Sequence, residues 1–282
     1  MTSSLLYNLV LGLYFSAMVT FITYLATHSR LVSRLSIIIS WGGLSTHTLA
    51  IALRWYESYQ LPGSVGRAPL TNLYESVTFF AWTILLIYLL IDIKYRYRAM
   101  GAFILPFAFL SMAWAQLTLD SAVEPLVPAL QSNWLTYHVV SCFLGYAAFA
   151  VGCGVSLMYL VRGRWEDRSN SSTGMMALFP SLKILDIINY KAIMIGFPLL
   201  SLGVISGAIW ANYAWGTYWS WDPKETWSLI VWFIYAAFLH ARLTRDWAGK
   251  KAALLSITGF CATIFCYLGV NLLLAGLHSY GS

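Results

Sequence analysis

Apolar and polar positions alternate in long blocks along this chain. Eight apolar runs, near residues 5–26, 35–53, 73–93, 100–118, 135–161, 192–211, 226–243 and 252–276, are separated by shorter polar stretches. A hydrocarbon layer of ~30 Å takes ~20 helical residues at ~1.5 Å rise each, and every run is close to that length. The pattern predicts an all-α, polytopic transmembrane helical bundle of about eight spans, a single integral membrane domain over residues 1–282. Met1–Ser4 carries no basic residue and no cleavage pattern follows, so the first run is expected to stay as a helix rather than leave as a signal peptide. The polar stretch after the fifth run begins RGRWEDRSNSSTG and continues as MMALFPSLKILDIINY, an amphipathic piece expected to lie on the membrane surface.

Composition agrees with a membrane solvent. Hydrophobic residues make up 59% of the chain and charged residues 10%, against roughly 25% charged in soluble domains. The net charge of +6 suggests nucleic acid until the basic residues are located. They sit in the connections between apolar runs, where they set orientation, so no nucleic-acid partner is expected. Of the 17 Lys and Arg, 14 follow the first, third, fifth and seventh runs, and only Arg54, Arg67 and Lys224 lie on the other side. Basic loops stay cytoplasmic, which puts both termini outside. A multi-pass cell inner membrane is expected, or a thylakoid membrane in a plastid, with the active face periplasmic or lumenal. Cys142, Cys153, Cys261 and Cys266 all fall within apolar runs and read as small packing residues.

One outer stretch differs from the rest: WANYAWGTYWSWDPKETW, residues 210–227. Interfacial Trp and Tyr are ordinary in membrane proteins. Asp222, Pro223 and Glu225 also spell a helix start, with an Asp cap, Pro at the first helical position and Glu closing a capping box. Neither explains the density of Trp210, Trp215, Trp219, Trp221 and Trp227 with Tyr213 and Tyr218. Gly216 and Pro223 interrupt a continuous helix, so the rings are expected to form a flat shelf suited to a large planar apolar ligand.

Histidines sharpen that expectation. His138 opens the fifth run at its outer end and His278 lies just beyond the eighth, also outside. Two imidazoles bracketing an aromatic shelf suit the axial positions of a haem iron. His240 lies ~22 Å below the outer end of the seventh run, near the cytoplasmic side, and His47 ~10 Å below the outer end of the second. An ionisable residue at membrane depth is a functional candidate. Their depths differ by roughly 12 Å, too much for one shared iron, so a second ligand for His240 is expected from another chain. His28 falls in a cytoplasmic loop and is assigned no role.

At residues 215–229, WGTYWSWDPKETWSL resembles the tryptophan-rich "WWD" signature of the haem-handling membrane protein family. The ending DPKETW, the eight runs and RAPLTNLYES at 67–76 are most similar to its system II cytochrome c synthase branch. The resemblance covers nearly the whole chain, more loosely over the first run. It implies haem b as ligand, held by Trp215, Gly216, Trp219, Trp221, Asp222, Pro223 and Glu225. His138 and His278 match the family's outer axial pair, and His240 its membrane histidine. It also implies a CcsB (ResB-like) membrane subunit, an apocytochrome c and thiol-reducing proteins as partners. The expected activity is that of a haem lyase complex, which moves haem outward and presents it for thioether attachment. No catalytic residue beyond haem positioning is expected. The alternatives are delivery of haem to a separate carrier, as in the Ccm branch, and a transporter that handles no haem.

Overall fold

The computed structural model describes residues 2–61, 66–123, 130–167 and 174–274. Eight helices are long and apolar enough to cross a membrane: α1 Ser3–Thr27, α2 Arg30–Ser58, α3 Leu73–Tyr95, α4 Gly101–Thr118, α5 Asn133–Glu166, α6 Leu182–Trp215, α7 Pro223–Arg245 and α8 Lys250–Leu273. They correspond one to one with the eight apolar runs, and all regular structure among the described residues is helical. This is a multi-pass membrane protein. The chain forms two compact units, Met1–Pro128 with Trp165–Pro180, and Ala129–Arg164 with Ser181–Ser282.

In the first unit α1 packs on α2 and α4, and α3 on α4 and α2. The turn between α1 and α2 needs only His28 and Ser29. His28 adopts the left-handed conformation (φ 55°) and donates its backbone N–H to the Tyr24 carbonyl, and the Ser29 side chain caps α2 by accepting from Val32 N–H. Small buried residues on α2, Ser33, Ser36, Ser40, Gly43 and Ala50, recur at helical spacing and let α1 approach closely. His47 lies in that stripe, fully buried, with Nδ1 2.8 Å from the Tyr14 hydroxyl.

Three charges close one end of this unit. The carboxylate of Glu75, in the first turn of α3, takes Arg54 Nε at 2.9 Å and Arg67 Nη1 at 2.9 Å. Arg54 also donates to the carbonyls of Ser121 (2.9 Å) and Ala122 (3.0 Å), which joins the ends of α2, α3 and α4. Thr71 donates through its backbone N–H (3.0 Å) and hydroxyl (3.1 Å) to the same carboxylate, and Asn72 caps α3. RAPLTNLYES is therefore a buried polar knot.

In the second unit α5 is the most enclosed of the eight helices, with 78% of its most apolar window buried. Its glycines allow this. A Cβ at Gly145 would meet the α6 backbone at 3.1 Å, and one at Gly152 would meet Asn189 Oδ1 at 3.0 Å. Aromatic rings complete the packing, Phe149 stacking on Tyr235 of α7 and Phe143 meeting Tyr267 of α8 edge-on at 5.0 Å. The amphipathic piece departs from expectation. Only Gly174–Leu178 forms a separate 3₁₀ turn; Ser181 then caps a helix that continues unbroken into the sixth span. Thirty-four helical residues span ~51 Å, so α6 overreaches a ~30 Å layer. Asp186 in its early turns explains the continuity, binding Arg242 Nη2 at 2.6 Å and Gly249 N–H at 2.8 Å and so clamping α6 to the end of α7.

Candidate haem pocket

The tryptophan stretch folds as two helix ends joined by a seven-residue loop, 216–222. Trp210 and Trp215 belong to the last turns of α6. Gly216 ends that helix at φ 82°, its N–H donating to the Asn212 carbonyl, a backbone conformation that suits glycine. Asp222 starts α7. Its side chain accepts Lys224 N–H at 2.9 Å, while Glu225 Oε2 reaches back to the N–H groups of Asp222 (3.3 Å) and Ser220 (2.7 Å). The expected capping box is present, with Pro223 at the first helical position. Trp221, squeezed between these two devices, takes φ 59°, a left-handed conformation that is costly for a bulky residue.

The rings do not make a flat shelf. Trp219 and Trp221 stand at 89° with centroids 5.8 Å apart, and Trp210 and Trp215 at 72° and 4.8 Å. Edge-to-face contact satisfies the quadrupoles of neighbouring indoles better than coplanarity does. The result is a hollow with about 590 Å³ of empty space, counting what opens to the outside. Its wall includes His138, Trp210, Tyr218, Trp219, Lys224 and Glu225. Trp215 lies behind it against Trp210. Trp221 is 69% exposed, and Gly216, Asp222 and Pro223 shape the loop from outside that wall. Glu225 Oε1 is buried with no hydrogen-bond partner among the described residues.

His138 is held from two sides. Its ring lies nearly parallel to the Trp210 indole, 12° apart with centroids at 6.3 Å. Nδ1 donates to the Gly203 carbonyl at 2.7 Å. A carbonyl can only accept, so the neutral ring carries its proton on Nδ1 and leaves the Nε2 lone pair for a metal. Histidines that bind metals are commonly oriented by such a bond. The α6 backbone comes this close because residues 203 and 207 are glycines. A Cβ at Gly203 would sit 2.4 Å from Cys142 Sγ, and one at Gly207 2.6 Å from His138 Nδ1. This Gly-x-x-x-Gly pair in an apolar helix is a close-packing signal legible in the sequence but not singled out there, and Lys224, expected only as an outer charge, lines the hollow together with Cys142 and Cys266, expected only as packing residues.

Of the other two histidines that match the family, one is absent from the lining of this hollow and one lies outside the described residues. His240 is exposed on α7, on a face shared with exposed Ile230, Phe233 and Leu243. His278 lies outside the described residues.

Fold and site together define a polytopic helical membrane protein with an aromatic, histidine-bearing hollow at one end of its second unit. The chain belongs to the cytochrome c assembly protein family, whose model matches residues 70–278. It is similar to the cytochrome c biogenesis protein CcsA of Guillardia theta, 41% identical over 253 residues that cover 84% of this chain and 82% of the relative. CcsA of Pyropia yezoensis is 40% identical over 271 residues, covering 83% of each chain. Among solved structures, the cytochrome c haem lyase CcmF shares the fold with a TM-score of 0.73 at 19% identity, over 94% of this chain and 46% of that one.

Proposed function

We propose that this chain is the haem-handling subunit of a system II cytochrome c synthase. It moves haem b to the outer face of its membrane and presents it for thioether attachment to an apocytochrome c. The single observation that carries this is the orientation of His138. A fixed Nδ1–H leaves Nε2 able to bind iron, in a hollow walled by Trp210, Trp219 and Tyr218 whose ring faces suit a tetrapyrrole. The family, and relatives named for cytochrome c biogenesis, agree with it.

On this reading His138 supplies one axial ligand at the outer site and His278 the other. Trp215, Gly216, Trp221, Asp222 and Pro223 hold the loop, while Trp219 and Glu225 face the ligand. The excess of Lys and Arg on the opposite loops turns the hollow outward. His240 serves an inner haem. Its open position on α7 leaves room for a second ligand from a CcsB (ResB-like) subunit. The protein's contribution is positioning: a Cys-x-x-Cys-His segment meets a haem already fixed in place, and its two thiols add across the vinyl groups. Thiol-reducing proteins keep those cysteines available.

Coexpression with CcsB and an apocytochrome c, in a host lacking its own synthase, tests this directly. Thioether-linked haem on the apocytochrome is the expected product. Haem held by the chain without any thioether product places it instead with delivery proteins that pass haem to a separate carrier.

A further inference from the structure

Lys224 is a charged pocket residue for which axial ligation and ring stacking give no task. It is the second residue of α7, and its backbone N–H is already engaged by the Asp222 cap. Its side chain runs to α8, where Nζ donates to the Tyr267 carbonyl at 3.1 Å and to Asn271 Oδ1 at 2.6 Å. The Tyr267 ring centroid lies 5.6 Å from the same nitrogen. Tyr267 sits in a π-helical turn, Phe265–Gly269, which interrupts the regular α pairing of α8. Such turns shift carbonyls out of the regular ladder and recur at functional sites.

Both acceptors of the ammonium are neutral. They orient the charge without balancing it. Of the carboxylates beside it in sequence, Asp222 accepts Lys224 N–H through one oxygen, and Glu225 takes the N–H groups of Ser220 and Asp222 through Oε2 while its Oε1 makes no hydrogen bond among the described residues. A neutral donor would tie α7 to α8 equally well, whereas a cation at a mostly apolar wall carries a desolvation cost that an anion offsets. An ammonium also has three donors, of which two are engaged. The hollow that His138, Trp210 and Trp219 line therefore also presents an oriented positive charge.

We propose that Lys224 binds a carboxylate of the pocket's ligand, which, resting on the haem reading above, is one propionate of haem. Propionates and vinyls project from different edges of the macrocycle. Holding the carboxylate edge at the α7–α8 wall turns the vinyl edge away from that wall, toward arriving thiols. Lys224 is then the residue that fixes which way round haem sits.

The test compares haem with its dimethyl ester, whose methyl groups cap both propionates, by absorption titration of the full chain in detergent. Wild type should favour haem by about tenfold, the scale of one charge-assisted hydrogen bond. Lys224→Met should bind both ligands as wild type binds the ester. Lys224→Arg should keep most of the preference. Equal affinity of wild type for the two ligands overturns the proposal whatever the variants do, and leaves the haem reading standing. A preference that survives in Lys224→Met also overturns it. If wild type binds neither ligand, the haem reading itself fails, and this proposal with it.

Discussion

His138→Ala should lower cytochrome c assembly by about two orders of magnitude while the chain accumulates normally. Removing even an outer-shell partner of a metal ligand costs ~10–100-fold, so removing the ligand itself should cost at least the upper end. The structural loss is small by comparison. The hydrogen bond to the Gly203 carbonyl contributes ~1 kcal/mol, and the residue keeps some exposure at the end of its span. Assembly is read as holocytochrome yield and accumulation by immunoblot. Imidazole added to the culture should restore part of the yield, because a free ring can enter the space and offer the same nitrogen. Normal yield from the variant would remove His138 as a ligand. Loss of yield with no rescue, in a chain that still packs, would make it a structural residue of the α5–α6 contact.

Glu75→Ala should do the opposite, costing the fold before it costs the chemistry. The carboxylate is the shared partner of Arg54 and Arg67, whose side chains are only 2% and 8% exposed. Truncating it strands two buried guanidinium groups, and breaking a buried pair in this way costs about 3–5 kcal/mol. Arg54 keeps its bonds to the Ser121 and Ala122 carbonyls, which satisfy donors without neutralising the charge. The detergent-solubilised chain should melt well below wild type and accumulate poorly. A melting temperature equal to wild type would mean that the network contributes little. The two variants are thus separable, since one keeps the protein and loses its product while the other loses the protein.

All eight spans were legible because an apolar run of twenty residues has few other uses. The capping box was legible for a similar reason: Asp222, Pro223 and Glu225 act on their own backbone, so the motif and its structure are local. What depends on distant contact was not. Periodicity marked the residues before 192 as a surface helix, but the Asp186–Arg242 clamp that makes them the start of α6 joins side chains far apart in sequence. Arg54 and Arg67 were read as two of the few outer charges, with no partner assigned, and the structure buries both on Glu75. The tryptophan loop announced an aromatic site but not its shape, because the angle between two indoles is set by how α6 ends and α7 begins. Lys224 looked like one more loop cation until α8 supplied its acceptors, the Tyr267 carbonyl in the π turn and Asn271 just beyond it. His138 was singled out by its place at the end of a span. Its usable nitrogen became apparent only with the Gly203 carbonyl beside it.

The most direct measurement is the absorption spectrum and haem content of the full chain purified from cells that make haem, beside the same preparation of His138→Ala. The account predicts a Soret band in the wild-type chain, with part of the signal lost in the variant and recovered on adding imidazole. A signal that persists in the variant should belong to the inner site at His240 and should grow when a CcsB subunit is copurified. A wild-type chain that purifies without haem, or a variant whose spectrum and occupancy match wild type, contradicts the assignment of the hollow as a haem site.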